Sequence, residues 1–141
     1  MTLRYTPTTT TVVRVSGADA ATFLQGQCTA DLRRAELSQA LWLNRKGRVL
    51  AHTLVATESD GAFLLLSPHA LPDELIAIVT ANVIADDVEA VDISSQWQRG
   101  VLWGQGDPVE VAGVRFLKSA RAGAPSWEVL APPGWTPPWT L

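Results

Sequence analysis

Val13-Arg14-Val15-Ser16-Gly17-Ala18-Asp19, followed by Phe23-Leu24-Gln25-Gly26-Gln27-Cys28-Thr29-Ala30-Asp31, passes from one backbone pattern to another within a short span. Residues 11–15 set β-branched side chains in alternation with polar ones and predict a strand. Ser16-Gly17-Ala18-Asp19 then has the Ser-x-x-Asp spacing of a helix start. Ala20, Phe23, Leu24 and Gln27 recur at intervals of 3, 4 and 7, which gives a short helix one mostly apolar face. Gly26 is expected to let the chain turn tightly where that helix ends. Gln25, Gln27 and Thr29 either satisfy backbone groups around the turn or touch a ligand.

Beyond this stretch, Leu37–Leu43, Val49–Thr57 and residues 62–67 predict three strands. They are separated by Asn44-Arg45-Lys46-Gly47 and by Ser59-Asp60-Gly61, whose Asp-Gly between apolar runs signals a hairpin. Pro72 suits the first turn of a second helix over 71–83, with Leu71, Leu75, Ile78, Val79 and Asn82 or Val83 along one side. Residues 88–93 and 97–103 predict further strands, and 109–111, 114–117 and 127–130 shorter ones. The expected order is β-β-α-β-β-β-α-β with a β-rich end. That is an α+β fold, a mixed and mostly antiparallel sheet with two helices on one face in the ferredoxin-like style. Residues 1–131 are expected as one domain, and 132–141, with four prolines and two tryptophans, as an extended tail.

An apolar fraction of 47% over 141 residues supplies a real core, and 18% charged residues leave little for a disordered chain. A net charge of −3 gives no basic footprint, so no nucleic-acid partner is expected. No apolar run approaches the roughly 20 residues a bilayer demands, so no membrane partner is expected either. The first residues show no charged segment followed by an apolar one, and the lone cysteine, Cys28, forms no internal disulfide. Those features favour the cytoplasm. They also give no metal site, since neither Cys28 nor the adjacent pair Asp86-Asp87 has His or Cys at ligand spacing. Cys28, at a helix end carrying partial negative charge, is expected to be a small structural side chain rather than a thiolate.

Combined with Asn44-Arg45-Lys46-Gly47-Arg48-Val49, the Phe-Leu-Gln-Gly-Gln element resembles the N-terminal half of YgfZ-type proteins, which are related to the glycine-cleavage T-protein, an aminomethyltransferase. The resemblance runs from about Val12 to Ile93 and implies the folate-binding domain of that group, shortened. T-protein enzymes hold an essential aspartate in the strand after the glycine turn. Aligned on Gly47, that position is Ala51 or His52, so no catalytic residue is assigned. The Lys-Gly-Cys-Tyr-x-Gly-Gln-Glu run of YgfZ proteins has no counterpart here. What the resemblance implies is a non-enzymatic, folate-binding-like protein linked to one-carbon metabolism or iron–sulfur protein maintenance, with tetrahydrofolate or a related folate as its small molecule.

The substrate-binding candidates that the resemblance implies are Asn44, Arg48, His52 and Ser67. Arg48 suits the glutamate carboxylates of folate, and the other three offer hydrogen bonds to its ring. Lys46 and Arg48 either face water or meet an anion, and Ser67 either reaches the ligand or caps the second helix. Two other readings stand beside this one: an interaction module that has lost its folate, and, ranked last, an active aminomethyltransferase. Trp97, Trp103, Trp127, Trp135 and Trp139 crowd the C-terminal end. So many large aromatics in one region are expected to mark an interface, with two chains joined isologously as a homodimer.

Overall fold

In the computed structural model, which describes residues 2–33, 36–119 and 125–137, the strands and helices follow as β1 (Thr2–Pro7), β2 (Thr11–Ser16), α1 (Ala20–Gln25), β3 (Leu37–Leu43), β4 (Val49–Thr57), β5 (Phe63–Ser67), α2 (Pro72–Thr80), β6 (Glu89–Asp92), β7 (Gln98–Gln105), β8 (Arg115–Ser119) and β9 (Ser126–Ala131). They divide into two compact units, Thr10–Ser94 and the paired ends Met1–Thr9 with Ser95–Leu141. Neither junction lies in a Pro-, Gly- or charge-rich stretch, so the sequence places no boundary at either.

The unit of residues 10–94 is a five-stranded antiparallel sheet in the order β3-β4-β5-β2-β6. β5, an unbroken apolar run, is buried along its whole length, as that pattern predicts. α1 and α2 share one face, where Phe23, Leu24, Leu75 and Val79 pack on Val13, Val15, Ala40, Trp42, Ala51, Val55, Phe63 and Leu65. Burying a side chain such as Leu24 or Leu75 contributes about 1.5–3 kcal/mol. The β4–β5 hairpin closes on the Asp-Gly signal, with the Glu58 N–H donating to the Ala62 carbonyl at 2.8 Å and Asp60 Oδ1 accepting from the Ala62 N–H at 3.0 Å. The open edge of β3 is covered near Trp42 by a bridge to Cys28 and by the Leu41 N–H donating to Thr29 Oγ1 at 2.9 Å.

The other unit is a four-stranded antiparallel sheet, β1-β7-β9-β8. Its core holds Leu3, Tyr5, Leu102, Trp127, Val129 and Ala131, with Trp135 set edge-on to Tyr5 at 5.5 Å. The tail starts by folding back, since Gln98 donates to the Trp135 carbonyl at 2.7 Å and accepts from the Gly134 N–H at 3.1 Å. Trp127 and Trp135 therefore serve their own unit, and Trp103 is exposed at 37%. Trp139 lies outside the described residues.

The α+β class, the two helices and the antiparallel pairing match the sequence expectation. Local boundaries differ. Ser16 ends β2, and Asp19 is the residue before α1; its carboxylate accepts from the Asp87 N–H at 2.7 Å instead of capping the helix. α2 is shorter than 71–83, because Leu71 is extended at φ −74°, ψ 154° and stays exposed. At the other end, Thr80 donates its hydroxyl to the Ile76 carbonyl at 2.6 Å, a bond that competes with further helix. Residues 109–111 form no strand.

Candidate functional site

The two motifs that carry the family resemblance meet at one cleft in the unit of residues 10–94. Gly26 and Gln27, just past α1, form one wall. Leu43, Asn44 and Arg45 at the end of β3, with Leu50 of β4, form another, and Ile78, Ala81 and Asn82 at the end of α2 close the third side. The cleft measures about 360 Å³. At its base the buried Trp42 indole donates to Thr53 Oγ1 at 3.0 Å. On the rim, Asn82 donates its amide to Gln27 Oε1 at 2.9 Å.

The adjoining β3–β4 turn is fixed by Asn44, whose Oδ1 accepts from the Lys46 N–H at 2.9 Å and the Arg48 N–H at 3.0 Å. Gly47 supplies the left-handed φ of 81° that this turn requires. Asn44, Arg45, Lys46 and Arg48 line a second groove of about 470 Å³ along the turn, sharing Asn44 and Arg45 with the first. Arg45, Lys46 and Arg48 are exposed and form no ion pair among the described residues.

The four residues singled out from sequence are not gathered at a common point. Asn44 and Arg48 share the turn groove. His52 pairs with Leu41, while its neighbours Ala51 and Thr53 pair with Trp42 and Ala40 of the helix-side core. The His52 ring therefore lies on the sheet face away from the helices. Ser67 is 1% exposed, and its hydroxyl donates to the His52 carbonyl at 3.0 Å and accepts from the Ala70 N–H at 3.2 Å. It fastens β5 to the loop before α2, whose N-cap is Leu71 and carries no side-chain cap. As a set, these donors do not converge on one folate; the cleft and the turn groove do adjoin.

Gln25 and Thr29 satisfy backbone groups: Gln25 Oε1 accepts from the Leu32 N–H at 2.9 Å and Thr29 accepts from Leu41. Gln27 instead bonds a side chain, Asn82. Sequence reasoning missed Asn82 and Arg45; only the position of Asn82 at the end of the α2 apolar face hinted at it. Gly26 turns out to be right-handed at φ −87°, so the expected glycine requirement there does not exist. Cys28 is half-buried, and that burial pushes its thiol above the usual range.

Asp31 is held well below the usual carboxylate range, to about 2, first by the side-chain bond from Arg33. Its depressed value means the link to Arg33 is intact above the ordinary carboxylate pKa and is lost as pH falls from about 4 through about 2. NMR titration of the Asp31 carboxyl carbon is expected to show this low midpoint, and Arg33→Ala is expected to raise it part of the way, since the Arg33 backbone N–H and the Gln25 amide still donate to the carboxylate.

Of the two residues that the resemblance aligns with the T-protein carboxylate, Ala51 is 7% exposed and packed into the core, and His52 lies on the other face of β4. No protein-family model matches the chain. Its structure superimposes on the crystal structure of glycine cleavage system aminomethyltransferase T from Bartonella henselae with a TM-score of 0.74, over 92% of this chain and 41% of that one, at 13% identity. The chain has the fold of that part of the T-protein.

The resemblance read from the two motifs thus holds for this T-protein-like half, and both motifs sit in its five-stranded unit. Two curated relatives are similar in sequence. They are the proteins named iron-sulfur cluster assembly factor IBA57 homolog, mitochondrial, from two strains of Cryptococcus neoformans var. neoformans serotype D, JEC21 and B-3501A. Each is 30% identical over 118 residues, covering 80% of this chain. The chain spans 31% of the length of those relatives. Both relatives are named as mitochondrial, which overturns the cytoplasmic expectation. The features behind that expectation, above all a single unpaired cysteine, separate oxidising from reducing surroundings and do not distinguish one reducing compartment from another.

Proposed function

We propose that the chain is a non-enzymatic, folate-holding protein of iron–sulfur cluster assembly built on the T-protein fold. What carries the proposal is that neither Ala51 nor His52, the two residues the resemblance aligns with the T-protein carboxylate, is a carboxylate, and Ala51, a methyl group in a packed core, moves no proton. His52, next along the strand, lies on the opposite face, and among the described residues no carboxylate or second histidine is hydrogen-bonded to its ring. Likeness to the two IBA57 homologs supports the link to iron–sulfur assembly, and the T-protein fold supports a folate as the small molecule.

Titration of the purified protein with tetrahydrofolate, read by tryptophan fluorescence and melting temperature, tests this. Saturable binding with a raised melting temperature is expected, together with no tetrahydrofolate-dependent aminomethyl transfer. Measurable transfer overturns the non-enzymatic reading. Absence of binding at millimolar folate favours an interaction module that works through proteins alone.

A further inference from the structure

We infer that the β3 edge of the five-stranded sheet is a self-pairing surface, on which a second copy of this chain adds its own β3 antiparallel, about a two-fold axis through Ser38. The phase of the strand sets this up. The Leu41 N–H donates to Thr29 Oγ1, and the Leu41 carbonyl accepts from the Thr29 N–H at 3.1 Å, so both backbone groups of Leu41 point away from β4. In the alternate phase, the Glu36 carbonyl accepts from the Thr57 N–H at 2.9 Å and points toward β4. The register with β4 is unbroken from Leu37 to Trp42. Leu37 and Gln39 therefore share the phase of Leu41 and turn their N–H and C=O groups to the open side. Cys28 and Thr29 close that side at Leu41 and Trp42. What stays open among the described residues is the pair Leu37 and Gln39, each with a donor and an acceptor, evenly placed about Ser38.

That spacing is its own complement. An antiparallel copy centred on Ser38 sets Leu37 opposite the partner's Gln39, and Gln39 opposite the partner's Leu37. Each pair exchanges both of its N–H···O=C bonds, and neither strand keeps an open group at these positions. Charge favours the same occupant. A charge on a strand that pairs with itself is brought close to its own copy, so an edge without charge accepts a second copy without repulsion. β3 reads Leu-Ser-Gln-Ala-Leu-Trp-Leu, with no charged residue and no proline. The other sheet edges are guarded: β6 by Glu89 and Asp92, β1 by Arg4 and Pro7, and β8 by Arg115 and Lys118. Glu36, the first charge before β3, comes opposite the partner's Ala40 and meets no like charge there. Leu41, 37% exposed and on the same face as Leu37, reaches the partner's Leu37 diagonally and adds apolar contact. The two-fold contact thus belongs to β3 and not to Trp127 and Trp135, which pack within their own unit.

Sedimentation velocity of the 141-residue chain from about 10 µM to about 1 mM, the span over which a small interface associates, tests the pairing. The weight-average mass is expected to climb toward that of two chains. Gln39→Pro deletes an N–H on the open side, a change that an edge strand tolerates. It is expected to leave the chain monomeric throughout, with its melting temperature little altered. Gln39→Lys touches no backbone bond and is expected to weaken dimerisation about fivefold at low salt, with part of the loss recovered at high salt. Ser38→Cys in a Cys28→Ser background puts two thiols on the axis. Ser38 forms a non-hydrogen-bonded pair with its copy, whose Cα spacing of about 4.5 Å admits a disulfide. Mild oxidation is expected to give a covalent dimer there, and none from Glu89→Cys on β6 in the same background. Monomer at every concentration overturns the pairing and leaves the edge to a strand of another protein. A dimer that survives both Gln39→Pro and Gln39→Lys overturns it too, as do Ser38→Cys chains that dimerise without cross-linking.

Discussion

Gly17→Ala is expected to cost about 3–5 kcal/mol, the sum of backbone strain, overpacking and lost hydrogen bonds. Gly17 sits at φ 123°, which L side chains rarely adopt, and a Cβ there lands on the backbone carbonyl of Asp87. That carbonyl is itself in use, accepting from the Asp19 N–H at 3.1 Å. Beside it, the Ala18 N–H donates to the Asp87 carboxylate at 3.1 Å, and the Asp87 N–H donates to Asp19 at 2.7 Å. The loop before β6 is thus tied to the start of α1 by three bonds around a glycine that leaves no room for a methyl. A fall in melting temperature of more than about 10 °C follows for a unit of this size. Gly26→Ala is the control. There φ is −87° and the nearest heavy atom to an added Cβ is the Phe23 carbonyl oxygen at 3.6 Å, so the change is expected to stay within about 0.5 kcal/mol. Comparable losses at both positions would contradict this account.

Trp42→Ala is expected to cost a similar amount, about 3–5 kcal/mol, through the cavity left in the core and at the base of the cleft. Trp42 is 2% exposed and packs where α1, β3 and β4 meet. Its indole N–H has Thr53 Oγ1 as partner inside the core. Thr53→Val keeps the shape and removes the acceptor, so the orphaned N–H is expected to cost about 1–3 kcal/mol. Trp42→Phe with Thr53→Val removes both ends of the bond. Denaturant unfolding of the double variant is expected to show less destabilisation than the sum of the two single changes. Strict additivity would show that the indole–hydroxyl bond contributes nothing.

Side-chain pattern made much of this fold legible. The continuous apolar run of β5, the Asp-Gly hairpin after β4 and the apolar positions Leu75 and Val79 of α2 all read correctly from sequence. What eluded it depends on contacts between distant residues. Asp19 matches a capping pattern, yet its carboxylate is drawn to the Asp87 N–H, 68 positions away. The split into two units follows from β1 pairing with β7 across nearly the whole chain, a partnership that no local pattern encodes.

The candidate site was half legible for the same reason. Asn44 and Arg48 fall on the turn that the Lys-Gly-Arg element announced. His52 and Ser67 were grouped with them on the family resemblance alone. Strand alternation then sends the His52 ring to the face opposite Ala51, and Ser67 has its hydroxyl occupied at both ends by backbone. Gln27 and Asn82, 55 positions apart, meet only because α1 and α2 end side by side.

The central claim is a role in iron–sulfur assembly without catalysis of one-carbon transfer. Cells of the source organism depleted of this protein test it most directly, through parallel assays of iron–sulfur enzymes, of enzymes lacking clusters, and of glycine-derived one-carbon transfer. The account predicts that iron–sulfur enzyme activities fall while the other two hold, and that restoring the protein returns them. Iron–sulfur enzymes at full activity beside a collapse of glycine-derived one-carbon transfer would contradict it.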